Sequence, residues 1–574
     1  MQLVAYGAQD LYLTGNPQMT YFKTVYKRYT KFATEYIRLA FDTIPPFSTT
    51  LESQGKVQIL RHADLVNDCY LVIDMPAVYG EYISGFRWVD YLGFVLINYV
   101  TLTIGGSEID KQYGQWLIIW NELTLSNEKK KYLYNMINIE PEPLHDTDPA
   151  ANWSVTDLTL NDPNKKVLLY RKKRLYIPLL FWFCTNPGLS IPLISLQYSE
   201  VYINFHFNPL NSLFTLSSYN LSPDAYLSIE ALDMLSGVAD PPGSQTSELS
   251  YRIALLGNGG YTASNILYYF INKIGTYNML GWSPNPNVEA NFIYLDNDER
   301  ERFSKYAQEY LITQVQERNF KGLVSGPNTV EIDIHHPVKE VIWTFCRDNA
   351  IPFFNKHSNF TYLLSGDRYQ ALQKFLQNYK IGAGSNFVDL TNSIQFYIKY
   401  MNEIVRITSN DPYNITDNNL NIFQQGKFIF NGKDRFREKD YIFFNSLEPY
   451  RHHTGYPKIP GINSYSFSLE PEKIEPSGSC NFSRINRFQF EFTLKENFQT
   501  TSNSNVVNSA PTNSIPSFYG ITEPTANISN GGVEPNLHFE LETTKSELYN
   551  MNFYAVNYNI LRIMGGLGDI TFAN

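Results

Sequence analysis

Two histidine pairs, His335-His336 and His452-His453, are the side chains of this 574-residue chain best suited to holding a metal, because neutral imidazole is a common ligand. Adjacent residues on a strand point to opposite faces, so neither pair alone brings two ligands to one ion, and structural histidines are the expectation. The four cysteines, Cys69, Cys184, Cys346 and Cys480, stand more than a hundred residues apart and lack metal-ligand spacing. Four buried thiols in a reducing compartment are the simplest account, with disulfide pairing as the alternative. Phosphate chemistry lacks its loop, since Gly257-Asn258-Gly259-Gly260 has no lysine to reach a phosphate. His-Glu-x-x-His and Gly-x-Ser-x-Gly are also absent. No catalytic site, metal or cofactor is expected, and the chain does not read as an enzyme.

The elements that carry these residues read as strands punctuated by helices. Aromatic residues make up 15% of the chain, with 42 Tyr and 38 Phe, against 18% charged residues, a balance that favours strands and wide apolar contacts over helical bundles. Val201, Ile203, Phe205 and Phe207 alternate with polar residues, as do Phe488, Phe490, Phe492 and Leu494, and Tyr465, Phe467 and Leu469 alternate with serines. Two short hairpins are expected at Gly105-Gly106 and Asn431-Gly432, whose residues accept the positive φ of tight turns, and they hint at two copies of one sandwich. Asp296 as N-cap, with Glu299 three residues on, predicts a helix carrying Phe303, Tyr306, Ala307, Tyr310 and Leu311 on one face. The pattern predicts an all-β chain of two sandwiches, residues 35–320 and 321–574, with long insertions at about 209–291 and 499–535.

The first 34 residues read as an extended arm ending in a helix, with Asn16 as N-cap, Pro17 at its first position and Phe22, Val25, Tyr26, Tyr29 and Phe32 at helical spacing. Lys23, Lys27, Arg28 and Lys31 concentrate positive charge there, although the chain carries a net charge of −10 and is not expected to bind nucleic acid. The other basic cluster, Arg171-Lys172-Lys173-Arg174, reads as a solvated strand end. Met1 to Asn16 lacks the basic and apolar regions of a secretory signal, and the apolar run Leu92 to Ile104, broken by Asn98, is too short for a bilayer. Synthesis and assembly in the host cytosol are therefore expected. Sequons occur at Asn152, Asn220, Asn359, Asn414, Asn481 and Asn527, of which Asn220 and Asn527 fall in the insertions and are the candidate glycan acceptors.

Gly7-Ala8-Gln9-Asp10-Leu11-Tyr12-Leu13-Thr14-Gly15-Asn16-Pro17 closely resembles the start of the major capsid proteins of nucleocytoplasmic large DNA viruses. Further matching strings follow in order: Leu65-Val66-Asn67-Asp68-Cys69, Phe181-Trp182-Phe183-Cys184-Thr185-Asn186-Pro187-Gly188-Leu189, His336-Pro337-Val338-Lys339-Glu340, Asn431-Gly432-Lys433-Asp434-Arg435-Phe436 and Tyr554-Ala555-Val556-Asn557-Tyr558-Asn559. The resemblance implies a double jelly roll, two side-by-side eight-stranded sandwiches with a few short helices. It implies a homotrimer acting as a pseudo-hexameric capsomer in an icosahedral virion shell. The implied partners are neighbouring capsomers, minor capsid and penton proteins, and an internal viral membrane. Lys23, Lys27, Arg28 and Lys31 would then form a basal contact and the insertions outer tower loops. A transient scaffold of poxvirus type and a sugar-binding or enzymatic sandwich are the alternative readings.

Overall fold

The computed structural model describes residues 7–80, 84–138, 167–218, 226–227, 267, 271, 282, 284–348, 355, 357–361, 421–495 and 548–572. Eight strands of the first half build two antiparallel sheets: β1 (Phe32–Ala40), β2 (Ser53–Ile59), β3 (Leu65–Met75), β4 (Ile97–Ile104), β5 (Ser107–Tyr113), β6 (Lys173–Pro178), β7 (Val201–Phe207) and β8 (Asn287–Leu295). Their orders are β1-β8-β3-β6 and β2-β7-β4-β5. Eight more strands follow: β9 (Gln308–Leu323), β10 (Gly326–Glu331), β11 (Pro337–Arg347), β12 (Phe423–Phe430), β13 (Lys433–Asp434), β14 (Ile462–Ser466), β15 (Phe488–Leu494) and β16 (Tyr549–Met564). These order as β9-β16-β11-β14 and β10-β15-β12-β13. The second half thus repeats the first strand for strand, and each half is a jelly roll.

Period-two alternation sets the inner faces. In β7 the residues Val201, Ile203, Phe205 and Phe207 are buried while Tyr202, Asn204 and His206 are half-exposed, and β15 follows the same rule with Phe488, Phe490, Phe492 and Leu494. Phe205 stacks on Phe207 in the first core. In the second, Trp343 is ringed by Phe428, Phe444 and Phe490 at centroid separations of 5.6, 5.1 and 5.1 Å. Both expected hairpins form: Gly105 and Gly106 have φ of 59° and 92°, and Asn431 and Gly432 have 49° and 79°, so each turn twists with its strands.

The helical arm is not found. A short helix, α1 (Asp10–Thr14), comes before Asn16, which has φ of 53°, and Pro17 follows the helix end instead of starting one. Residues 17–31 have neither helix nor strand, and β1 starts at Phe32. Thr, Tyr, Phe and Val crowd this stretch, and such residues lose side-chain freedom in a helix that no packed face offsets. Asp296 does cap a helix, its carboxylate accepting from the Glu299 N–H at 2.9 Å. That helix, here α6 (Asn297–Lys305), ends where extended Tyr306 leads into β9. Tyr310 and Leu311 therefore lie on a strand paired along its length with β16, and the expected boundary near 320 falls inside that strand.

The insertion read from 209 gives its ends to sheets, since Phe214–Ser218 pairs with Ser84–Trp88 and 287–291 begin β8. The serine alternation around Tyr465 holds in part: Tyr465 and Phe467 pack against the second core, but Ser464 and Ser468 are also buried and Leu469 is exposed, because the strand turns after Ser466, whose hydroxyl bonds Ser468. Among the described residues no helix is long and apolar enough to cross a membrane. Leu92–Leu96 is a buried five-residue helix, α2, that runs directly into β4.

Candidate assembly surface

The two jelly rolls meet through strands that are not equivalent. β5 of the first faces β9 of the second, the counterpart of the first half's own β1, together with the short strand Leu567–Ile570. The Gln314 side chain on β9 donates to the Ile109 carbonyl, and the Val315 N–H reaches the Asp110 carboxylate at 3.4 Å. Gln115, which opens α3 (Gly114–Thr124), accepts from Asn552 and from the Tyr554 hydroxyl on β16. Apolar residues fill the seam: Ile312, Ile342, Ile462, Tyr554, Val556, Leu561 and Ile563 belong to the first half's core, and Trp116 packs on Tyr554 at 5.3 Å.

One buried polar cluster bridges this seam and a second, within the second half, lies against it. Glu122 on α3 accepts from the hydroxyls of Tyr91 and Tyr134, at 3.0 and 2.8 Å, from Lys130 Nζ at 3.0 Å and from the backbone N–H of Lys458 at 2.9 Å. Lys130, at 0% exposure on α4 (Asn127–Ile137), also donates to the Tyr456 carbonyl, so one ion pair ties the first half to the loop after α7 (Glu448–His452). Burial lowers the Lys130 pKa and raises that of Tyr91, and full pairing is what makes the buried charges tolerable. Nearby, His453 lies 3.3 Å from Glu340 and 3.2 Å from Glu472, with its ring edge-on to Trp120. Burial alone would lower its pKa, but the two carboxylates outweigh it and raise it to about 9. His453 is therefore a buried cation beside Glu340, which has no exposed surface.

His336, in left-handed backbone, and His335, 3.5 Å from Asp333, have rings 6.5 Å apart, while His452 turns to the Leu469 carbonyl, away from His453. The pairs separate for a reason other than strand alternation: His335 and His336 lie outside any strand, and His452 ends a helix that His453 caps. Among the described residues no group of three or more His, Cys, Asp or Glu could hold a metal. Of the basic cluster, Arg174 forms a two-pronged pair with Asp74 at 2.7 and 3.2 Å, and Lys173 donates to Asn135 and Asn138. Sequence carried no signal for Glu122 and His453 as seam residues, because what each meets across the seam, the Lys458 N–H and the Trp120 ring, is more than 300 positions away.

The exposed surface is most unusual at the N-terminus. Every residue from 7 to 36 is exposed, including Tyr12, Leu13, Tyr21, Phe22, Val25, Tyr26 and Tyr29, with Phe22 at 99%. Lys23, Lys27, Arg28 and Lys31 stand among these rings, and no acidic residue occurs from Pro17 to Thr34. The apolar exposure continues onto β1 through Phe32 and Tyr36. A run of large uncovered aromatic side chains on this scale is the character of an interaction surface. Asn220 and Asn527 lie outside the described residues, as does the 499–535 insertion.

Residues 20–247 match the family model of the major capsid protein N-terminus, and residues 299–530 that of the large eukaryotic DNA virus major capsid protein. The major capsid protein of Phaeocystis pouchetii virus is 31% identical over 100% of this chain and 99% of its own length. The chain belongs to the major capsid protein family of large eukaryotic DNA viruses. That of Paramecium bursaria Chlorella virus 1 is 29% identical, covering 100% of this chain and 99% of its own. Among solved structures, a chain of the PBCV-1 virus capsid superposes with a TM-score of 0.56 at 24% identity, over 97% of this chain and 100% of its own. The Faustovirus major capsid protein gives 0.54 at 12% identity, over 97% and 94%. Both share the double jelly roll. This capsid protein is a structural component of the virion, and the surfaces described above are what it offers for building a shell.

Proposed function

We propose that this major capsid protein forms a homotrimer whose six jelly rolls make a pseudo-hexameric capsomer. The observation that carries the reading is the head-to-tail seam. A heterologous contact uses one face of each partner, so it leaves the β1 edge of the first jelly roll and the β13 edge of the second uncovered. The same contact made between chains joins these edges and closes a ring, and the exposed Phe32 and Tyr36 on β1 fit a face awaiting a partner. On this reading the units are an arm to about residue 31, a first jelly roll to about 306 and a second to 574, instead of a division at 320.

The arm supplies the contact beneath the capsomer. Lys23, Lys27, Arg28 and Lys31 suit acidic minor capsid or penton proteins, or the anionic headgroups of an internal membrane, at about 1 kcal/mol for each basic residue near the surface. Asn220 and Asn527 are the proposed glycan acceptors, on the sequence reading of their insertions as outer loops. Assembly takes place in host cytoplasm, without catalysis, cofactor or direct nucleic-acid binding.

Light scattering of purified protein tests the oligomer: three times the 66.2 kDa chain mass is expected, and a stable folded monomer at micromolar concentration would exclude the ring. Replacing Lys23, Lys27 and Lys31 together with Glu should leave trimers intact and stop particle formation. Normal particle yield from that variant would remove the basal contact.

A further inference from the structure

Strand register fixes which residues of the two jelly rolls correspond. After β6 the chain passes through α5 (Trp182–Thr185) and returns along β3, where Ile191 pairs with Val66. Val66 pairs on its other side with Phe292 of β8, and Phe292 with Glu35 of β1. In the second half Cys480 pairs with Val338 of β11, Val338 with Asn557 of β16, and Asn557 with Gln314 of β9. Glu35 therefore holds in the first jelly roll the place that Gln314 holds in the second. The opposite edges correspond in the same way. Ile104 stands between Val201 of β7 and Ser107 of β5, as Phe430 stands between Phe488 of β15 and Lys433 of β13. Thr103 with Glu108 and Ile429 with Asp434 are the next pairs, so Arg435 holds the place of Ile109.

Within the chain these two places meet, because the buried Gln314 side chain donates to the Ile109 carbonyl across the seam. At the outer edges both places are open. Glu35 is exposed and accepts from the Tyr294 hydroxyl at 3.2 Å, and Arg435 is exposed with its N–H on the Phe428 carbonyl at 2.8 Å. Neither has an ion-pair partner among the described residues. The Gln314 amide brings its own donor to a carbonyl, whereas an ionised carboxylate only accepts. Glu35 against a bare carbonyl would be repelled, so a contact on the same plan needs a donor from the facing strand. A guanidinium at position 435 supplies two parallel N–H groups for two carboxylate oxygens. Lys433 and Arg437, also exposed, add positive potential on either side.

We propose that the contact between copies follows the plan of the internal seam, with the Glu35 carboxylate of one copy receiving the Arg435 guanidinium of the next. The pairing rests on the ring of six jelly rolls proposed above and assigns its intermolecular contact. Ion pairs between chains then alternate around the ring with amide bonds inside chains. Salt therefore loosens the trimer and leaves the neutral bond of the seam in place.

Light scattering of full-length protein across a dilution series tests the pairing. Glu35→Arg and Arg435→Glu each bring like charges together and should raise the concentration at which trimers dissociate roughly thirtyfold or more, while the double variant should restore it. Both side chains are exposed, so each variant should keep the circular dichroism spectrum of the unaltered protein. Trimers of undiminished stability in either single variant would overturn the pairing and leave the ring standing. A double variant no more stable than the singles would overturn it too, since the losses would then have another source. Unaltered protein that stays monomeric at every concentration would remove the ring and the pairing together. Should a reversal disturb the fold, Glu35→Gln decides: it keeps the side chain's shape, and it should weaken the trimer and flatten its salt dependence, whereas an unchanged salt dependence would overturn the pairing.

Discussion

His453 holds its proton because removing it would take from Glu340, a carboxylate with no exposed surface, the imidazolium 3.3 Å away. Its folded pKa of about 9 exceeds the ordinary 6.5, so the folded state binds this proton more tightly than the unfolded chain does. The stabilisation is complete below pH 6.5 and is lost as pH rises through 9, amounting to about 3 kcal/mol for a group this deeply buried. Thermal melts should fall over that window, and His453→Asn should lower the melting temperature at pH 6 while flattening the alkaline decline. An unchanged slope in that variant would show that the proton sits elsewhere. Trp343 is the packing counterpart in the second core. Its replacement by Ala empties the space among Phe428, Phe444 and Phe490 and should cost about 3–5 kcal/mol in denaturant unfolding.

At the scale of elements, β5 carries the second titrating group. Asp110 is buried against β9, and burial raises its pKa to about 7 despite hydrogen bonds from Gln112, Val315 and Lys111. Because the folded value lies above the unfolded one, the folded state takes up the proton first, and the seam is stronger as pH falls from 7 toward 4. Asp110→Asn should therefore reduce the stability difference between pH 5 and pH 8, read as a smaller gap between melting temperatures. The strands themselves were legible wherever one face is buried and the other wet, as in β7 and β15, because period two records burial directly. The tight hairpins were equally legible, since only residues such as Gly and Asn accept their φ.

Helical periodicity misled twice for one reason. Residues 22–32 and 303–311 carry apolar groups at helical spacing, but the first has no surface to pack on and the second is drawn into a sixteen-residue strand by β16. Pairing with a segment almost 250 positions later leaves no local trace. The same kind of distance hid the bond from the Lys458 N–H to Glu122 and the contact of His453 with Trp120, which join residues of different halves.

For the whole molecule, the seam has the character of a domain core: apolar residues of both halves in one cluster, with Glu122, Lys130 and Gln115 bonded across it. The peptide link between the halves is short and exposed by contrast, with Tyr306 69% accessible between α6 and β9. Covalent continuity at that point is consequently dispensable. A site-specific protease site inserted between Lys305 and Gln308 should yield, after cleavage, two bands in denaturing gels and one particle of unchanged mass in solution. Two separately translated fragments should find each other in the same way, so a gene broken there would still encode a working shell.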